Sequence, residues 1–459
     1  MPCGGRFRMF VQTIPVMVQR KVLFWSIVTA LGGFLFGFDT AVISGAEKAI
    51  QQLWQLSAVE HGFTISIALI GTVIGAMFGG IPSDALGRRQ TLRWIAVLYL
   101  VSALGAALAP AWVPFMIFRF LGGLGVGASS VTAPLYISEI SPAESRGKLV
   151  GLFQFNIVFG ILAAYLSNYL LANVGDHSWR LMLGVQAVPA IAFLLFLFRV
   201  PESPRWLLLH VRLEEGKDVL RLISPSTVEA DTAAILAAQA EAGQENESLW
   251  AAQYRTPVLL AMAFAFFNQV SGINAIIYYA PRIFEMTGLG QNTALLSSAG
   301  IGLVNFIFTL LGVNVIDRYG RRTLMLVGSL GLIATLGLVA FAFYTQRFQL
   351  FGGLLVPGLL FAYIAFFAFS QGAVIWVFIS EIFPNAVRAK GQALGSSTHW
   401  VMATVIAFTF PYFAEKLGGG NTFAFFCGMM VLQLVFVLRF MPETKGTSLE
   451  GVAKTLVMH

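Results

Sequence analysis

Twelve apolar runs of about 20 residues, most of them joined by short polar stretches, constrain this chain more than any other feature. A segment of that length crosses a hydrocarbon core only as a helix, because each backbone N–H and C=O must then be bonded within the segment. The runs fall at 22–45, 62–82, 91–110, 113–137, 148–172, 180–200, 256–281, 294–316, 322–345, 354–380, 390–414 and 421–441. Only 11% of residues are charged and 57% are hydrophobic, whereas soluble domains carry about 25% charge. The reading is an all-α integral membrane protein with twelve transmembrane helices. The first run follows Arg20 and Lys21 with no small-residue cleavage site, so it is expected to be a retained helix. The cysteines, Cys3 and Cys427, lie near opposite ends and offer neither a disulfide framework nor a metal-ligand spacing. No cofactor or metal is expected.

Charge bias sets the orientation. The amino terminus, the even-numbered loops and the carboxyl terminus hold most of the 29 Lys and Arg, while each odd-numbered loop holds at most one. Both termini are therefore expected on the cytoplasmic side. The net charge of +7 follows from this asymmetry, which leaves no support for a nucleic-acid partner. Short outer loops without a glycosylation sequon point to a bacterial inner membrane; Asn246-Glu247-Ser248 falls on the cytoplasmic side.

The organisation is expected to be a six-helix bundle over 1–200, a cytoplasmic helical linker over 201–255, a second bundle over 256–441 and a tail over 442–459. The linker turns polar, with Glu214, Glu215, Lys217, Asp218 and Arg221 before an alanine-rich run, a pattern for short amphipathic helices. The halves repeat. Asp84-Ala85-Leu86-Gly87-Arg88-Arg89 after span 2 is echoed by Asp317-Arg318-Tyr319-Gly320-Arg321-Arg322 after span 8. Ile137-Ser138-Glu139 with Arg146 after span 4 is echoed by Ile379-Ser380-Glu381 with Arg388 after span 10, and Pro201-Glu202-Ser203-Pro204-Arg205 by Pro442-Glu443-Thr444-Lys445. Three echoes in one order indicate a duplicated six-helix unit.

Together with Gln269-Val270-Ser271-Gly272-Ile273-Asn274 and Tyr278-Tyr279, these motifs make the whole chain resemble a sugar porter of the major facilitator superfamily. The resemblance implies two six-helix bundles related by a pseudo-two-fold axis, a monosaccharide and a proton as transported partners, membrane lipid as solvent, and a monomer. It also implies that the cytoplasmic charges form an intracellular gate that parts when the site faces inward. These are Asp84, Arg88, Glu139, Arg146, Glu202 and Arg205 in one half, and Asp317, Arg321, Glu381, Arg388 and Glu443 in the other.

Residues in the spans carry the chemistry. Asn268, Gln269 and Asn274 put three amides where hydrocarbon should be, at a cost of a few kcal/mol each if unpaired. Helical periodicity does not set all three on one face, so a break at Gly272 is expected. In the family this segment lines the sugar cavity, and position also favours Gln154, Asn305 and Trp376, with His399 and Trp400 beside them. Amides both donate and accept, as sugar hydroxyls do, and an indole covers a ring's C–H face. Asn268 stands where many members carry Gln, and His399 where an amide is more usual. Phe36, Tyr278 and Tyr279 are candidate lids over the outer mouth.

Two charges lie deep in the spans, Asp39 in helix 1 and Arg119 in helix 4, at similar depth. An intramembrane carboxylate is a functional hypothesis by default. Beside Arg119 it is favoured ionised, and moved into apolar surroundings it takes a proton. An Asp at this position resembles the mark of proton symporters. The expected function is proton-coupled import of a hexose or pentose by alternating access. The alternatives are a facilitative uniporter, a polyol or inositol transporter, a drug/proton antiporter, which helix 5 disfavours by lacking a glycine-and-proline signature, and a sugar sensor, for which only a short stretch follows Met441. No nucleophile, metal cluster or carboxylate pair in the spans suggests an enzyme.

Overall fold

The computed structural model describes residues 20–142, 144–242, 247–348, 353–384 and 387–445. Cys3, Asn246 and most of the expected tail lie outside the described residues. Every regular element among those described is helical. Six spans make the first half: α1 (Arg20–Leu53), α2 (Ala58–Phe78), α3 (Arg88–Leu108), α4 (Trp112–Ile140), α5 (Arg146–Leu171) and α6 (Ser178–Arg199). The second half holds α7 (Ala252–Met286), α8 (Gln291–Tyr319), α9 (Arg321–Thr345), α10 (Leu355–Glu381), α11 (Arg388–Lys416) and α12 (Gly418–Arg439).

Eleven of these are both long enough and apolar enough to cross a membrane. The twelfth, α11, has 29 residues but is diluted by Ser396, Ser397, Thr398 and His399. Its polarity has a structural reason, since its middle joins the polar cluster described below. The first helix also differs from the apolar run that announced it. It continues past residue 45 to Leu53, carrying Glu47 and Lys48 on helical backbone.

The two halves use the same packing scheme. In the first, α1 packs on α5, α2 on α4 and α3 on α6; in the second, α7 packs on α11, α8 on α10 and α9 on α12. The contacts between halves obey the same symmetry, with α2 against α11 and α8 against α5, joined by α1 against the outer part of α7. Small residues allow this closeness: a Cβ on Gly37 of α1 would stand 1.9 Å from the carbonyl oxygen of Ile157 on α5, as in membrane bundles where backbones approach through Gly. Between the halves, helices Pro204–Leu209, Leu213–Ile223 and Val228–Ala242 bury Leu208, Leu220 and Val228 together. Trp206 Nε1 donates to the Asp84 carbonyl at 2.7 Å, tying these helices to the α2–α3 connection.

The repeated loops have one local explanation. Gly87 (φ 93°, ψ 159°) and Gly320 (φ 89°, ψ 158°) immediately precede α3 and α9 in a conformation that is essentially glycine-only. A bare Cα there lets a carboxylate reach the new helix's free N–H groups. Glu202 accepts from Arg89 N at 3.0 Å, and Glu443 accepts from Arg321 N at 2.9 Å and Arg322 N at 3.0 Å. Each acid therefore sits where a helix start favours negative charge. A Cβ at either glycine would lie 2.5 Å from the acid's Oε2.

Gly87→Ala and Gly320→Ala should each cost about 1–3 kcal/mol in backbone strain alone and displace the capping acid as well. Gly80→Ala, whose Cβ would meet nothing within 4 Å, should be neutral. Thermal unfolding in detergent checks this, with lower Tm expected for the first two and an unchanged Tm for the third.

Candidate functional site

Helix α7 is two helices, Arg255–Val270 and Ile273–Met286, joined through Gly272 at φ 88°. A Cβ on Gly272 would also lie 2.6 Å from the Phe426 ring, so both the turn and the packing call for glycine. The groups exposed by the break are taken up locally. Ser271 Oγ donates to the Asn268 carbonyl at 2.7 Å, and Tyr363 of α10 donates to the Ser271 carbonyl at 2.9 Å. The break rotates the amides towards one another, which an unbroken helix would not do.

Gln269 is the hub. Its Nε2 donates to Asn268 Oδ1 at 2.9 Å and lies 3.2 Å from the His399 ring nitrogens, while its Oε1 accepts from Asn274 Nδ2 at 2.6 Å. Asn268 Nδ2 is buried without a partner, a state that costs about 1–3 kcal/mol until an acceptor arrives. His399 packs between two indoles, with ring centroids 5.0 Å from Trp376 and 4.9 Å from Trp400. The cluster therefore unites α7, α10 and α11. Asn305 on α8 is buried, and its Oδ1 accepts from Thr309 at 3.5 Å; Gln154 on α5 is half-buried.

Asp39 and Arg119 meet, with Arg119 Nη1 2.7 Å from Asp39 Oδ1 and both side chains almost fully buried. The pair joins α1 to α4 inside the first half. Tyr278 of the second half is buried, and the Thr40 hydroxyl on α1 donates to the Phe36 carbonyl at 2.9 Å.

At the ends that carry the repeated loops, the ion pairs close within one half. Arg88 forks onto Glu139 at 3.0 and 3.1 Å and pairs with Asp84 at 2.8 Å; Arg321 forks onto Glu381 at 2.7 and 3.1 Å and pairs with Asp317 at 2.9 Å. The two forks are symmetric equivalents. Arg146 and Arg388 bond backbone carbonyls, of Ser138 and Phe383, and Arg205 is exposed. Thus these charges brace neighbouring helices in this conformation and do not bolt one half to the other.

The seal between halves is at the opposite end. Tyr165 OH of α5 donates to the Ile277 carbonyl of α7 at 2.7 Å, while Tyr279 OH of α7 donates to the Ala407 carbonyl of α11 within the second half at 3.0 Å. Phe36 of α1 lies 5.5 Å, centroid to centroid, from Trp400 of α11, so it touches the polar cluster across the divide. Farther out, Arg282 of α7 bonds Glu47 of α1 at 2.9 Å, His61 of α2 bonds the same carboxylate at 2.7 Å, and Lys48 pairs with Glu285. Sequence reading missed Glu47, His61, Arg282 and Glu285 because they fall at or beyond the ends of apolar runs. It also missed Gln371, in a π turn of α10, which donates to Gln433 at 2.7 Å, with Gln433 in turn donating to Ser329 at 2.9 Å.

Comparison with known proteins agrees with this architecture. The family model described as "Sugar (and other) transporter" matches residues 25–456. The D-xylose-proton symporter of Escherichia coli K12 is 35% identical, covering 93% of this chain and 94% of that protein. The arabinose-proton symporter of Bacillus subtilis strain 168 is 36% identical, covering 94% of each. A structure of an E. coli xylose transporter, in a partially occluded inward open conformation, superimposes with a TM-score of 0.83 at 33% identity over 94% of this chain and 100% of that one.

Removing one partner of a buried pair leaves the other charge uncompensated, at about 3–5 kcal/mol. Arg119→Leu should therefore lower stability by about that much, and Asp39→Leu combined with Arg119→Leu should recover most of the loss. A double-mutant cycle on thermal or denaturant unfolding checks the coupling.

Proposed function

The chain belongs to the sugar porter family of the major facilitator superfamily, and from that premise we propose that it imports a monosaccharide, pentose or hexose, together with a proton. The observation that carries this reading is the buried Asp39–Arg119 pair standing in the half opposite a neutral, amide-rich cluster on α7. A neutral solute needs no ion pair to bind it, so the pair serves a different cargo. Two named relatives are sugar-proton symporters, which supports the same assignment.

The sugar site is built by Asn268, Gln269, Asn274, His399, Trp376 and Trp400, with Gln154 and Asn305 completing it from α5 and α8. Asn268 Nδ2 is buried with no protein acceptor, and a sugar hydroxyl can accept from it. The Gln269 hub holds the other amides in register. Trp376, 39% exposed, presents an indole face for the apolar side of a pyranose ring.

Residues 1–200 and 256–441 act as two units that rock about this site. With the outer side sealed, the site faces the cytoplasm, and both termini lie on that side. In this state Asp39 is compensated by Arg119. A conformation that parts them would leave two bare charges in low dielectric, a cost the carboxyl avoids by taking a proton. Proton binding thus belongs to the state in which the pair is apart, and return of Arg119 releases the proton. The cytoplasmic charges of each half keep its helix ends together while the halves separate and meet.

Asp39→Asn should abolish accumulation of sugar against a gradient while sparing exchange of labelled for unlabelled sugar. Proteoliposomes given a panel of labelled pentoses and hexoses, with and without an imposed proton gradient, check this and identify the sugar. Continued accumulation by the variant would remove Asp39 from the coupling role.

A further inference from the structure

Glu47 and His61 are buried titratable groups that the function above does not use, with 1% and 0% exposure. They lie at the outer closure. His61 Nε2 is 2.7 Å from Glu47 Oε2, and Arg282 reaches the same carboxylate with Nε 2.9 Å from Oε1 and Nη2 2.7 Å from Oε2. Glu47 is thus shared between a partner on its own half and a partner on the other. The remaining ring nitrogen of His61, Nδ1, is buried with no partner.

The charges around this ring can be taken helix by helix. From α1 come Glu47 and, one position on and more exposed, Lys48, which is engaged by Glu285 of α7. From α7 come the Tyr279 ring, 6.0 Å away, and Arg282 through Glu47. From α2 itself, Glu60 is exposed and bonded to Ser57. From α11 the close approach is backbone, since a Cβ on Gly62 would stand 2.1 Å from the Phe408 carbonyl oxygen. Glu415 of α11 sits farther out, on the rim of an open cavity of about 480 Å³ that Arg282 and Lys48 also line.

In the closed arrangement one carboxylate faces one guanidinium. That balance holds His61 neutral, with Nε2–H donating to Glu47, because a proton on Nδ1 would be a third charge and an unpaired buried donor. Opening the outer side carries Arg282 away with the second half. Glu47 then lacks a cation, and extracellular water reaches the ring. We infer that Glu47 and His61 form a second proton-binding site at the outer closure, taking one proton from external water on His61 Nδ1 when Arg282 withdraws and returning it when Arg282 re-engages. The inference rests on the alternating-access reading above but not on the role of Asp39.

The sign follows from linkage: the open-outward state binds one more proton, so a falling pH favours it. The test is a distance between spin labels at Gln52→Cys on α1 and Glu415→Cys on α11, exposed positions on opposite halves. The full chain is used in lipid nanodiscs, with Cys3 and Cys427 changed to Ser and with Asp39→Asn removing that titration. Between pH 8 and 5.5 the long-distance population should grow several-fold with His61 present. His61→Gln keeps a donor for Glu47 but cannot titrate, and its distances should stay short and independent of pH. Glu47→Gln, which weakens the tie to Arg282, should raise the long-distance population at every pH.

A pH response that survives in His61→Gln, or none with His61 present while sugar still shifts the distances, overturns the proposal and leaves alternating access standing. So does an outer side that stays closed in Glu47→Gln. Distances that move with neither pH nor D-xylose, L-arabinose or D-glucose overturn both.

Discussion

A polar group inside a membrane must find its partner within the protein, and the arrangement of this chain follows from where such partners are available. Two solutions recur. Groups whose partners lie in the same half, such as Asp39 with Arg119 or Gln371 with Gln433 and Ser329, stitch a bundle together. Groups whose partners lie in the other half, such as Glu47 with Arg282 and Tyr165 with the Ile277 carbonyl, gather, among the described residues, at the end where the halves close on each other. Rigid separation of the halves gives up only the second kind; parting Asp39 from Arg119 takes a rearrangement within the first half. The first kind supplies the stiffness that lets a half move as a body.

Much of this was legible in the sequence, to different depths. The twelve apolar runs marked the spans because satisfying the backbone in hydrocarbon demands length and apolarity together. Where a helix lines a polar cluster, the two demands part company, and α11 keeps the length without the apolarity. The duplicated loops announced two equivalent units. Their glycines could be recognised as a repeated motif, but not as the bare Cα against which Glu202 and Glu443 cap the next helix, since that acid lies more than a hundred positions away in the chain.

The polar cluster was half legible. Three amides in one apolar run required partners, and Gly272 between them suggested a break. That Gln269 would become the hub, with both its donors and its acceptor engaged, depends on the rotation the break introduces. Phe36 shows the limit of counting along a helix: its distance from Asp39 suggested the outer mouth, whereas helix crossing sets it against Trp400 at the divide. Glu47 and His61 were out of reach because a hydropathy run ends at the first charges, while the helix that carries them does not. Charged residues in the last turns of a span look like loop until a partner from another helix is seen.

The distribution of bonds also bears on which motion is easy. The forks of Arg88 and Arg321 join α3 to α4 and α9 to α10, so separating the halves at that end breaks neither. At the opposite end, the same separation takes Arg282 from Glu47, Lys48 from Glu285 and Tyr165 from the Ile277 carbonyl. The two ends are therefore unequal although the bundles are symmetric. Opening the closed end costs buried polar contacts that something must replace: water for the tyrosine, solvent for the exposed lysine, and for Glu47, which is 1% exposed, a charge. A carboxylate left behind by its guanidinium in partly dry surroundings is the most costly of the three, and the imidazole already bonded to it is the nearest group able to become that charge.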